Sequence, residues 1–174
     1  MTWRPCLFAG VSLMADPQIL AANIDGAYLL RLVGDVRLTL STTLDDYTDA
    51  MVGDPLFHSL VVDLCETDNL DSTTLGMLAK LALRVEADKH LQPDLYSCRA
   101  GISRLIRSMG FAQLFVIHEE LCQEMVATSE LKGDLGSEKE VHAKVLDAHK
   151  TLMSLSAENE ERFRDLLNAL EAVQ

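Results

Sequence analysis

The run Ser59-Leu-Val-Val-Asp-Leu-Cys65 constrains this chain more than any other segment. It is short, apolar and rich in β-branched residues, the pattern of a strand covered on both faces in a parallel sheet. A polar turn, Glu66-Thr-Asp-Asn69, follows it, and after Leu70-Asp71 the apolar residues Leu75, Leu78, Ala79, Ala82 and Val85 recur at helical spacing. A buried strand that passes through a short turn into a helix from near Ser72 to near Asp88 is the building unit of an α/β protein.

The flanking segments extend this unit. Two apolar stretches, Ile19 to Ile24 and Ala27 to Val33, are joined by Asp25-Gly26, a strong hairpin signal, and Gly34-Asp35 ends the pair. From Ser41 to Met51 an N-cap hydroxyl, early carboxylates and the spaced Leu44, Tyr47 and Met51 predict a helix closed near Gly53 and Pro55. Further on come a strand at Asp94–Cys98, a helix at Ile102–Met109 with Ile102, Leu105, Ile106 and Met109 inward, and a last strand at Leu114–Ile117. Strand and helix alternating through short connections predicts a mixed, mostly parallel sheet with helices.

Beyond Glu119 the character changes. Lys132-Gly-Asp-Leu-Gly136 reads as a break, and two charged, helix-periodic stretches follow. Val141, Val145, Leu146 and Leu152 would line one helix, and Phe163, Leu166, Leu167 and Leu170 the other, with Ser154 or Ser156 as the second N-cap. The expected organisation is therefore a flexible extension over 1–15, an α/β domain over 16–120 and a C-terminal helical appendage over 121–174. The first segment has a faint signal-peptide look, but Pro5 and Cys6 interrupt its apolar run and its basic end is a single Arg.

Charge narrows the function classes. A formal net charge of −12 argues against a nucleic-acid partner, because phosphate backbones are bound by clustered Lys and Arg. No apolar stretch approaches the ~20 residues that span a bilayer, so no membrane insertion is expected. Cys6, Cys65, Cys98 and Cys122 are scattered without a CxxC pair, which fits a reducing cytoplasm. The five histidines show no ligand spacing, and there is no HExxH, glycine-rich phosphate loop or GxSxG. No metal, no cofactor and no enzyme activity are expected. Asp63, inside the buried strand, reads as a hydrogen-bonding group at a strand end or a partner-facing surface position rather than a catalytic acid. Arg99, Arg104 and Arg107 surround the third helix and either receive an acidic partner surface or flank the apolar stripe as solvated side chains.

The chemistry concentrates where the second helix begins. Asp71-Ser72-Thr73-Thr74-Leu75-Gly76 places three hydroxyls at a helix N-terminus, where unpaired N–H groups and the helix dipole favour an anion by ~0.3–1 kcal/mol when exposed. On local pattern alone Ser72 is an N-cap, with Thr73 and Thr74 as ordinary first-turn residues. The stretch nevertheless resembles the signature of the STAS-family anti-sigma factor antagonists, in which an apolar strand leads to an Asp-Ser-Ser-Gly-Leu-Gly-like turn. The order of elements from about Ile19 to Glu119 is similar as well, including Gly34-Asp35 and Ile102-Ser-Arg-Leu-Ile-Arg-Ser-Met-Gly-Phe111.

The resemblance implies a STAS fold and a non-enzymatic switch. Phosphorylation falls on Ser72, with Thr73 and Thr74 as its competitors, and Asp35, Asp71, Ser72, Thr73, Thr74, Leu75, Met77 and Arg104 become partner-binding positions. Thr73 and Thr74 depart from the family pattern, and Thr74 is β-branched where the family often has glycine. The implied partners are an anti-sigma factor with a serine kinase domain and a serine phosphatase, alone or fused to a receiver domain. A STAS subunit of a membrane transport complex and a ligand-sensing module are the alternatives. The appendage would cover the core, bind another protein or pair two copies of the chain into a homodimer.

Overall fold

The Asp25-Gly26 turn does what its sequence predicts. Both residues take positive φ, 52° and 94°, and they join β1 (Gln18–Ile24) to β2 (Ala27–Val36) as an antiparallel pair in register from Gln18–Val33 to Ile24–Ala27. The computed structural model describes residues 16–122, 126–132 and 136–172. The expected N-terminal extension and the centre of the Lys132–Gly136 break lie outside the described residues.

After β2 the chain forms α1 (Leu38–Val52), β3 (Ser59–Asp63), β4 (Thr67–Leu70), α2 (Ser72–Lys89), β5 (Asp94–Tyr96), α3 (Ala100–Ser108), a 3-10 turn at Phe111–Gln113, β6 (Val116–His118), β7 (Ser129–Glu130), α4 (Glu138–Leu155) and α5 (Ala157–Glu171). Among the described residues the strands form one mixed sheet in the order β6-β5-β3-β2-β1-β7, with β4 paired to the end of β2. The β2–β3, β3–β5, β5–β6 and β2–β4 pairs are parallel, whereas β1 pairs antiparallel with both β2 and β7. The expectation of a mixed, mostly parallel α/β sheet is met. No helix among the described residues is long and apolar enough to cross a membrane.

One sheet face carries Ile19, Ala21, Leu30, Leu32, Leu60, Val62 and Leu95, which pack with Leu44, Leu75, Leu78 and Ile106 of the helices into one core. β3 is not sealed equally on both sides: Leu60 and Val62 are buried, but Val61 on the opposite face is only half-buried. Asp63 is buried at the strand end, where its carboxylate accepts from Arg31 Nε at 2.7 Å and from the Cys65 N–H at 2.9 Å. Its role is the hydrogen-bonding one expected.

Several boundaries differ from the sequence expectation. Glu66–Asn69 is not merely a turn, because Thr67–Leu70 forms β4 against the end of β2. The pairing runs Gly34–Thr67, Asp35–Asn69 and Val36–Leu70, so a bulge leaves Asp68 of β4 without a β2 partner, opposite Gly34 at φ 72°. The first helix starts at Leu38, not Ser41, and has Arg37 in place of a side-chain N-cap. The last strand starts at Val116, because Leu114 closes the 3-10 turn, its N–H bonded to the Phe111 carbonyl at 2.9 Å. β5 ends at Tyr96, two residues short of Cys98.

The C-terminal helices pack onto the α/β layer. Ser137 and Glu140 form a reciprocal capping box at α4, and Ser156, rather than Ser154, caps α5. Ala148, Leu152 and Phe163 join the main core. The stripe differs from expectation: Val141, Val145 and Leu146 are half-buried, Leu166 is exposed, and His149 and Asn159 are buried. The Asn159 amide donates to the carbonyls of Met109 and Leu152, both at 3.0 Å, so it fastens the α4–α5 corner to the end of α3. Gln113 adds a bond from its amide to the Leu155 carbonyl at 3.0 Å.

Candidate functional site

The site is the junction where β3, β4 and α2 follow one another. Thr67 turns the chain after β3, its N–H donating to the Leu64 carbonyl at 3.1 Å and its hydroxyl to the Leu32 carbonyl at 2.8 Å. β4 then delivers Asp71 to the entrances of two helices at once. One carboxylate oxygen of Asp71 accepts from the Thr74 N–H and the Thr74 hydroxyl, both at 2.7 Å, and the other accepts from the Leu38 N–H at 2.8 Å. Asp71, not Ser72, is therefore the N-cap of α2, and it also supplies the cap that α1 lacks locally.

This frees the Ser72 side chain. Ser72 occupies the first position of α2, half-buried, with its Oγ 2.9 Å from Nε2 of His149 on α4. His149 is 2% exposed, and its Nδ1 lies 2.8 Å from the Val145 carbonyl. A carbonyl only accepts, so Nδ1 carries a hydrogen; in the neutral ring Nε2 is then the acceptor and the Ser72 hydroxyl donates. The ring is further held edge-on to Phe163, with centroids 5.7 Å apart.

The competing hydroxyls are less accessible. Thr74 is fully buried, its Oγ1 bound to Asp71 and 3.4 Å from the Val36 carbonyl, so the β-branched residue is accommodated by turning its hydroxyl into the cap. Thr73 is 6% exposed. Leu75 and Met77 lie in the core and offer no surface in this state.

Around the rim, Asp35 pairs with Arg37 at 2.6 Å, and this hydrogen bond holds the Asp35 carboxyl below its usual pKa. Asp68 on β4 pairs with Arg99 just before α3. Arg107 pairs with Glu119 at 2.7 Å, and exposed Arg104 donates to the Ala100 carbonyl at 3.3 Å on the same helix. The three arginines do not act as one basic patch, since two of them are committed to carboxylates. Among the described residues no group of His, Cys, Asp and Glu is placed to hold a metal ion.

Sequence reasoning missed His149 and Ala148. The signal was present: Val145, His149 and Leu152 stand four and three residues apart, which puts the imidazole on the same stripe as the apolar residues. No protein-family model matches the chain, and no curated protein matches it.

Proposed function

We propose that the chain is a STAS-fold anti-sigma factor antagonist whose partner binding is controlled by phosphorylation of Ser72. The observation that carries this reading is the division of labour at the entrance of α2: Asp71 does the capping, so the Ser72 hydroxyl is not needed to hold the helix together. A serine used only as a cap would be bound to the backbone N–H groups that Asp71 already satisfies. The order of elements around this turn supports the same family.

In this reading a serine kinase domain, part of the anti-sigma partner, transfers the terminal phosphoryl group of ATP. The Ser72 Oγ–P bond forms, the bond to the β-phosphate oxygen breaks, ADP leaves and the hydroxyl proton is lost. The added charge of about −1.5 to −2 falls beside Asp71, where desolvation against a partner becomes costly. A serine phosphatase restores the hydroxyl. The setting is cytoplasmic, with no nucleic acid, no cofactor and no catalysis by this chain.

Binding to the kinase-domain partner tests this directly. Ser72→Ala is expected to bind constitutively, including in the presence of ATP, whereas Ser72→Asp should weaken binding at least about tenfold, roughly 1.4 kcal/mol. Equal affinity of both variants would reject the reading.

A further inference from the structure

The face of α2 that carries Ser72 is covered by the chain's own helix α4. Three contacts define the seam. Ser72 bonds to His149 at the start of the helix. One turn further on, Gly76 faces Ala148 so closely that a Cβ at Gly76 would lie 2.3 Å from the Ala148 carbonyl oxygen and 2.7 Å from its Cβ. A turn beyond that, Lys80 bridges Asp147 of α4 at 2.5 Å and Asp45 of α1 at 3.0 Å. Burial opposes the Lys80 ammonium, but the bonds to Asp147 and Asp45 outweigh it and hold its pKa above the ordinary lysine value.

This seam has no slack. At the Gly76–Ala148 crossing a side chain on Gly76 has nowhere to go, and such interfaces rearrange as units rather than yielding by fractions of an ångström. A phosphoryl group on Ser72 replaces the donated hydrogen by phosphorus and three oxygens, at a place where Oγ and Nε2 are 2.9 Å apart. It removes the donor that Nε2 uses and sets a dianion beside the Asp71 carboxylate. Release is opposed by Ala148, Leu152 and Phe163 in the core, by Met153 and Leu155 packed against it, and by the Asn159–Met109 and Gln113–Leu155 bonds.

We propose that a phosphoryl group on Ser72 and the docked α4–α5 hairpin are mutually exclusive, so that phosphorylation lifts the hairpin off α2. This rests on the reading of Ser72 as the regulated residue and adds its output: the modified chain differs from the unmodified one in conformation as well as charge. In the phosphorylated chain both the α2 face and the α4 face bearing Ala148 and His149 are uncovered. In the unmodified chain only the rim of the site is presented.

The experiment is amide hydrogen exchange on the full chain with phosphoserine genetically encoded at position 72, against the unmodified chain and Ser72→Ala. Exchange across α4 and α5 is expected to rise at least tenfold in the phosphoserine chain while β2 and β3 stay protected. Ser72→Ala should keep the hairpin docked. Gly76→Leu, which separates the helices without adding charge, should give the open exchange pattern. Protection of α4–α5 that is unchanged or increased by phosphoserine overturns the proposal, the latter meaning that the phosphate holds the hairpin down. Because no kinase is used, the result is separate from whether a kinase modifies Ser72. A released hairpin in a chain that its kinase leaves untouched would keep the coupling and reject the reading of Ser72.

Discussion

Replacing Asp71 by Ala is expected to lower the unfolding free energy by about 2–4 kcal/mol, because one carboxylate caps two helices and each lost cap costs roughly 1–2 kcal/mol. Thr74 N–H at the start of α2 and Leu38 N–H at the start of α1 would both lose their acceptor, and the buried Thr74 hydroxyl would keep only its long contact to the Val36 carbonyl. Asp71→Asn keeps an amide oxygen that serves one set of donors, so it should fall between the two. Urea unfolding of the three proteins measures this, and a loss below about 1 kcal/mol for Asp71→Ala would show that water replaces the carboxylate at both helix ends. The same result bears on function. The acidic residue before Ser72 has a sufficient structural reason to be there, whatever partner it also meets.

A comparable loss is expected for Asp63→Ala. Asp63 is 2% exposed and faces Arg31, and removing one partner of a buried ion pair costs about 3–5 kcal/mol because the other charge stays behind. The Cys65 N–H loses its acceptor in the same step. Combining Asp63→Ala with Arg31→Met should recover part of the stability, since the cation that faced Asp63 is then removed as well. A double variant no more stable than Asp63→Ala would place the main cost in the Cys65 bond instead. Thermal or urea unfolding of the pair of variants distinguishes these outcomes.

What could be read from the sequence were the features encoded within a few residues. The Asp25-Gly26 turn, the β3 run and the periodicity of α2 each specify their own conformation; the turn and α2 formed where expected, and β3 starts at Ser59 but ends at Asp63, two residues short of Cys65. The start of α1 could not be read in this way. Its cap is Asp71, 33 residues further along the chain, and Ser41 offered a plausible local alternative. β4 was hidden for a related reason: Thr67–Leu70 is polar and turn-like, and it is a strand through its pairing with the end of β2, 30 and more residues earlier in the chain.

The site shows the same division. A hydroxyl at a helix entrance is visible in Asp71-Ser72-Thr73-Thr74, but the choice of Asp71 as cap depends on two helices converging. His149 was invisible as a site residue because its partner lies 77 positions away. Reading the last two helices as an appendage followed from their charge and periodicity. Their docking through Gly76, Ala148 and Asn159 depends on close tertiary approaches that periodicity does not report.

The central claim is that Ser72 is the regulated residue, and phosphopeptide mapping tests it most directly. The full chain is incubated with ATP and the serine kinase domain proposed as its partner, and every phosphorylated peptide is sequenced. Phosphate on Ser72 in the wild type, with none incorporated in Ser72→Ala, is the predicted result. Phosphate confined to Thr73 or Thr74, or undiminished incorporation in Ser72→Ala, would contradict it.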